Sequence, residues 1–292
     1  MYVILGATGQ VGGSVLNTVL ELDPAADVRI VGRRPPPVLP PGVEFYSMDV
    51  AHDVRGFAAV LEGATAAFVL SPLPPDAADV RGAAARVSDS LAEAIVRAHS
   101  PRIVALSSQG AHLPEGTGVI ATLHDFETAL RQAGAPLTCM RSTFFMESWL
   151  PFASVALESG EWMAMRSPPD APDTAVSARD VGALAAQCLL DPGAPAVVNV
   201  TGSRTYSEAD AAATLASVAG RAVSVVAVPP PQRAAVLEMA GLGSRYAAAL
   251  SDMYAALDAG RVPFEPVRDT RLGTTTLEDV FRTAFQPPRD GS

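Results

Sequence analysis

The sequence contains no lysine, so all 21 of its fixed positive side chains are arginines. That absence excludes a Schiff-base lysine, a phosphate-loop lysine and any tyrosine–lysine proton-transfer pair. Cysteine is almost as scarce. Cys139 and Cys188 each lie in an apolar stretch, and two cysteines make no disulfide framework, so buried thiols are expected. With four histidines and no ligand spacing, no metal site is expected. Basic blocks are missing too, and the formal net charge is −10. Such a chain is a poor partner for nucleic acid or an anionic membrane. No apolar run is long enough to span a bilayer. Met1 runs straight into a strand pattern rather than a charged leader, so a cytoplasmic protein is expected.

What remains is a 292-residue chain, 49% hydrophobic, long enough for one or two domains around a sizeable core. The first half alternates. "YVILG" reads as a buried strand, and residues 10–22 carry apolar side chains at helical spacing. Strand patterns follow in "DVRIVG", "VEFYSMDV", "ATAAFVLS", "PRIVALSS" and "PLTCMRS". Helices are predicted between them at about 53–61, 76–99 and 120–133. Strands alternating with helices predict an α/β fold with a doubly wound parallel sheet. After Arg141 the pattern changes to an aromatic stretch, a proline-rich loop in "SPPDAPDT" and a helix over 177–190 capped by Ser177. A strand, "AVVNVTG", a helix capped by Ser207 and ended by Gly220, a strand in "AVSVVAV" and two more helices complete the reading. Residues 1–142 and 175–202 are assigned to the main domain. Residues 143–174 and 203–292 are assigned to a smaller, mostly helical substrate-binding cap.

Three glycines, Gly6, Gly9 and Gly12, stand between the first strand and the first helix. In that place the first permits a tight turn, the second lets backbone approach a pyrophosphate, and the third lets helix and strand pack closely. The helix N-terminus then offers free N–H groups and partial positive charge to the anion. A glycine turn with no ligand has the same composition, but the strand–turn–helix setting favours a dinucleotide. Where an acid would hold a ribose 2′-hydroxyl, this chain has "IVGRRPPP". Arg33 and Arg34 suit a 2′-phosphate, so NADP(H) is favoured over NAD(H).

The spacing in GATGQVG resembles the NmrA-like family, atypical short-chain dehydrogenase/reductase relatives, together with "MDV", "LSP", "LSSQGAH" and "RSTFFMESW" after successive strands. The likeness extends through "SARDVGALAAQCLL" and "NVTGSRTYSEADAAATLASVAGRAV". It implies a Rossmann domain and an NADPH-dependent reductase of quinones, azo dyes or triphenylmethane dyes, or else a redox sensor that binds NADP without turnover. It further implies that Gly6, Thr8, Gly9, Gln10, Val11 and Gly12 hold the pyrophosphate. Asp49 and Val50 would lie near the adenine. Ser71, Pro72 and Leu73 would border the ribose and nicotinamide, and Ser142, Thr143 and Phe144 would close the nicotinamide end. Ser107 and Ser108 end the fifth strand, where open α/β sheets bind ligands.

The usual tyrosine and lysine are missing from the helix after that strand. Where many family members carry a lysine, four before Glu127, this chain has Leu123. His124 and Ser108 are the candidate catalytic groups, histidine being a proton donor near neutral pH. His112 is a weaker alternative, and Glu127 suits a helix salt bridge or a buried hydrogen bond. A quinone-like acceptor would tolerate the missing pair by taking its proton from solvent. The expected partner is a small-molecule substrate, and a homo-oligomer is compatible with the sequence. Replacing Arg33 and Arg34 together by alanine is expected to weaken NADPH binding by about 1.5–3 kcal/mol and to leave NADH nearly unchanged. A parallel fluorescence titration checks this; equal losses for both nucleotides would contradict it.

Overall fold

The computed structural model describes residues 1–99 and 101–286; the final stretch assigned to the cap, 287–292, lies outside the described residues. Thirteen strands are present among them: β1 (Tyr2–Leu5), β2 (Val28–Gly32), β3 (Val43–Ser47), β4 (Ala66–Val69), β5 (Arg102–Ser108), β6 (Leu137–Ser142), β7 (Phe144–Phe145), β8 (Glu161–Ala164), β9 (Asp173–Val176), β10 (Val197–Gly202), β11 (Thr205–Tyr206), β12 (Ser224–Ala227) and β13 (Thr270–Gly273). Eight of them form one parallel sheet in the order β13-β10-β6-β5-β4-β1-β2-β3. The chain moves outward from β1 to β3, then returns to the other side of β1 at β4. That reversal makes a crevice at the carboxyl ends of β1 and β4, the place where doubly wound sheets bind ligands.

Both faces of the sheet are covered, which is why its strands read as continuous apolar runs. Helices α1 (Gln10–Leu22), α2 (Val54–Leu61), α3 (Val80–Arg97) and α4 (Ala121–Gln132) belong to the first half. The next two are α5 (Leu150–Ser159) and α6 (Ala178–Leu190). Side chains alternate along β1: Ile4 enters the layer beneath α1 and α6, with Val15, Val19, Val181 and Ala185. Val3 and Leu5 enter the opposite layer with Phe57, Leu61, Leu91 and Phe126 from α2, α3 and α4. Cys139 and Cys188 are buried free thiols, and burial pushes the Cys139 thiol up to about 12.

The second half builds the cap from α5 and from α7 (Glu208–Ala219), α8 (Arg233–Met239), α9 (Ser244–Asp258) and α10 (Leu277–Phe285). Its core contains an aromatic chain, Trp149 to Trp162 at 6.5 Å and Trp162 to Phe281 at 6.3 Å between ring centres. The Gly243 N–H donates to the Pro75 carbonyl (2.9 Å), and the Gln109 side-chain amide donates to the Val262 carbonyl. These bonds seat the cap over the carboxyl end of the sheet.

Several boundaries differ from the sequence reading. The helix expected over 76–99 starts at Val80, because Asp79 caps it by accepting from the Gly82 N–H (2.9 Å). The prolines before it cannot donate the missing helical bonds. The proline-rich loop ends in strand β9, which lies between β7 and β11 in a second small sheet. Strands β8 and β13 were not expected, and three helices follow β12 rather than two. Strand β13 also lies within the stretch assigned to the cap, yet it pairs with β10 at the edge of the main sheet.

An ion cluster fastens the cap. Arg166 bonds Asp173 and, at 2.9 Å, Asp258, which also takes Arg233 at 2.5 Å. Glu208 is buried beside them and accepts from the Arg166 backbone N–H (3.1 Å). Burial pushes its carboxyl up to about 7, although backbone donors and the charges of Arg166 and Arg233 pull the other way. The native state therefore keeps a proton that the unfolded chain has released, in the window from about 4.5 to about 7. The stability from this group is full below that window and lost as pH rises through it. Glu208→Gln is expected to gain roughly 2–3 kcal/mol relative to the parent on going from pH 5 to pH 8, read by urea melts at both pH values. A constant difference between the two proteins would contradict the assignment.

Candidate functional site

The loop after β1 has the geometry that its glycines require. Gly6 has φ of 77°, a left-handed conformation that favours glycine. A Cβ on Gly12 would overlap the Gly6 carbonyl, so the first turn of α1 can sit this close to the loop only with glycine there. Gly9 caps α1 without any side-chain hydrogen bond, and Thr8, Gly9 and Gln10 are exposed. The first N–H groups of the helix, including those of Gln10, Val11 and Gly12, therefore present an uncapped donor set.

Arg33 and Arg34 follow β2 and are exposed, with no carboxylate partner among the described residues. Asp49 follows β3. Its own burial opposes ionisation, but the Ala51 N–H, His52 and the charge of Arg33 hold its carboxyl below the usual range. Val50 is buried, and its carbonyl accepts from Ser90 at 2.5 Å. The residues predicted for the nucleotide's adenosine end thus share one edge of the crevice.

Beyond them opens a cavity of about 900 Å³. Its floor is the carboxyl end of the sheet, where Ser71, Leu73, Ser107, Ser108, Ser142 and Thr143 reach it. Pro72, between two of these residues, is exposed and does not line it. Phe144 forms part of the wall, and the cap closes the far side through α5, α8 and α9. Several floor hydroxyls are already committed: Ser108 donates to the Gln109 carbonyl (3.0 Å), Thr122 to the Val119 carbonyl (2.7 Å) and Ser142 to the Ser107 carbonyl (3.3 Å). The Ser71 and Thr143 hydroxyls are buried without any partner. Two unpaired buried hydroxyls on one floor are a cost to folding that a polar ligand would remove.

Beneath Ser107 lies Glu127, fully buried on α4. Its carboxylate takes a two-point grip from Arg141 on β6 (2.8 and 2.7 Å), a bond from the Ser107 hydroxyl (2.5 Å) and one from Arg131 (2.5 Å). Burial works against its charge, but these donors outweigh burial and keep the carboxyl below its ordinary range. Arg141 also bonds Glu265. The Ser107 proton is spent on Glu127, which leaves its oxygen able only to accept.

The structure brings the serines together and leaves His124 out. Its Nδ1 lies 3.0 Å from the Ala111 carbonyl, and the ring does not line the cavity. The helical phase explains this: Leu123, one position earlier, lines the cavity, and a residue about 100° further round α4 does not. His112 does not line it either, and its Nδ1 is buried without a partner. Sequence reasoning missed Tyr246 and Tyr254, which reach the cavity from α9 along with Leu250 and Met253. Their spacing of four, seven and eight from Tyr246 was the available signal. Burial raises both phenols, so both are neutral donors.

The model of the NmrA-like family matches residues 2–276. An NAD(P)H azoreductase from Xenophilus azovorans is 27% identical over 264 residues, covering 87% of this chain and 86% of that one. The NADPH-dependent quinone oxidoreductase of Escherichia coli, solved with NADPH, superposes with a TM-score of 0.79 at 22% identity, covering 98% of this chain and all of that one. The triphenylmethane reductase of Citrobacter sp. gives 0.81 at 19% identity, covering 97% and 98%.

Replacing Glu127 by leucine leaves Arg141 short of its buried partner. A loss of about 3–5 kcal/mol in unfolding free energy is expected. Adding Arg141→Met should recover most of it, because a neutral pair strands no charge. Urea denaturation of the two variants measures this; a double variant no more stable than the single would contradict the ion-pair account.

Proposed function

The chain belongs to the NmrA-like family, and on that premise we propose that it is an NAD(P)H-dependent oxidoreductase, a reductase of a small conjugated or quinone-like organic acceptor. The observation that carries this reading is the large cavity at the carboxyl end of the sheet, the same end at which the uncapped α1 N-terminus lies, floored by unpaired hydroxyls. A site for the nucleotide alone would not need a further apolar wall from α5, α8 and α9. The azoreductase relative and the quinone and triphenylmethane reductase folds support the same class.

The residues present fit the cofactor. The loop from Gly6 to Gly12 would hold its pyrophosphate, and Arg33 with Arg34 would meet the 2′-phosphate of NADP(H). Asp49 and Val50 would flank the adenine. Ser71, Leu73, Ser107, Ser142, Thr143 and Phe144 would surround the nicotinamide end, with Pro72 at its edge. When bound, reduced nicotinamide supplies the hydride that no side chain can. The chain's own part is to bind, orient and exclude water. Ser71 and Thr143 offer hydrogen bonds that nothing in the protein uses. Ser107 accepts only, because Glu127 holds its proton. Tyr246 and Tyr254 present phenols that make no hydrogen bond among the described residues, and they can steady an oxygen or nitrogen of the acceptor. No titrating group near neutral pH lines the cavity, so the acceptor's proton comes from solvent. Ser108 remains the floor hydroxyl beside this space, and His124 takes no part.

Loss of NADPH absorbance with a quinone or azo acceptor tests the proposal. Turnover with a preference for NADPH is expected, with His124→Ala within about twofold of the parent, and Thr143→Val should weaken nucleotide binding by about 1 kcal/mol. Tight nucleotide binding with no oxidation by any conjugated acceptor would instead favour an NADP-binding redox sensor.

A further inference from the structure

Among the described residues, the cavity wall carries no arginine, histidine, aspartate or glutamate. This is notable because charge is close by on two sides. Under the floor, Arg141 is saturated by Glu127 and Glu265. Behind Tyr254, Arg166 pairs with Asp173 and Asp258, and Arg233 pairs with Asp258, its Nε being buried without a partner. The guanidinium groups of these two clusters are thus turned toward counter-ions inside the protein, with Ser107 lining the cavity on one side and Tyr254 on the other. An ionised group on a ligand would lose its water in this space and find no opposite charge. A neutral group loses nothing of the kind.

The cap side of the wall is also soft. Met163, Met239 and Met253 line it, and thioether side chains adapt to ligands of different outline. Met239 is 80% exposed and Val155 is 53% exposed, and both still line the cavity. They mark an apolar mouth. We infer that this site selects its acceptor by charge: it takes neutral multi-ring compounds, with little discrimination among ring systems, and rejects their sulfonated, carboxylated or quaternary ammonium analogues. The inference rests on the reductase reading only in calling the ligand an acceptor.

A matched set of dyes separates charge from shape. Para-dimethylaminoazobenzene, its para-sulfonate and a para-trimethylammonium analogue share one ring skeleton. Their binding to the whole protein is measured by equilibrium dialysis with the redox-inactive tetrahydro analogue of NADPH present, whose uncharged ring prevents turnover and adds no cation to the cavity. The neutral dye is expected to bind at least about 30-fold more tightly than either ion. Leu123→Arg, which places one cation in the wall, should bring the sulfonate at least about tenfold closer to the neutral dye and leave the trimethylammonium dye excluded. Thermal melting of the variant shows that it is folded. If that variant does not fold, Leu250→Arg gives the same test from the cap side.

Equal binding of the neutral dye and the sulfonate by the parent protein would overturn the inference, as would tighter binding of either ion. Selective binding of the neutral dye that leads to no NADPH oxidation would leave charge selection standing and remove the reductase reading instead.

Discussion

The carboxylate of Glu127 is the tie on which the floor of the site depends. It joins α4 to β6 through Arg141, to β5 through Ser107 and to solvent through Arg131. A buried carboxylate stays charged only when its lone pairs are filled by donors, and here they are filled by three side chains. The arrangement sets the direction of one hydroxyl at the end of β5 and removes one positive charge from the edge of the cavity. The absence of lysine sharpens the effect. A guanidinium can grip a carboxylate at two points and hold it in plane, whereas an ammonium offers a single mobile charge.

The cap repeats the device with other residues. Arg166 and Arg233 share Asp258, and Asp173 completes the set behind Tyr254. Two ionic clusters therefore lie outside the cavity, one under each wall, while the wall itself stays neutral. Their desolvation is a cost to stability, and Glu208, whose carboxyl is pushed up to about 7, shows how strong the burial is there. What the molecule gains is a volume of about 900 Å³ at the end of the sheet, lined by hydroxyls, rings and thioethers and, among the described residues, by no charged side chain.

Much of this was legible in the sequence where a local rule dictates a local shape. Gly6, Gly9 and Gly12 required a tight turn and a close helix, and the loop has both. Strands buried on both faces read as apolar runs, so the alternation through β6 was plain. Caps at Ser177 and Ser207 marked their helices. The less legible parts depend on distant partners. Strand β13 is four residues with Arg271 and Thr270 in it, and nothing local says that it pairs with β10. Strand β9 follows prolines that read as loop. His124 was chosen by chemistry alone, and the rotation of α4 turns it to the Ala111 carbonyl. Glu127 was read as suited to a helix salt bridge or a buried hydrogen bond, and it makes both, but nothing local named Arg141, fourteen residues later, as its partner. Tyr246 and Tyr254 became visible once α9 was placed across the mouth of the crevice.

Apart from two phenols kept neutral by burial, no ionisable side chain lines the cavity among the described residues, so the proposed reaction draws its proton from solvent. The pH profile of kcat/KM for NADPH oxidation by a neutral, non-ionising acceptor tests it most directly. The Glu208→Gln protein is the appropriate background, since the cap's own titration near pH 7 is then removed. Between about pH 6 and pH 9 a profile flat to within about twofold is expected. A single ionisation inside that range, abolished by replacing His124 or His112, would contradict it and return the proton to a side chain.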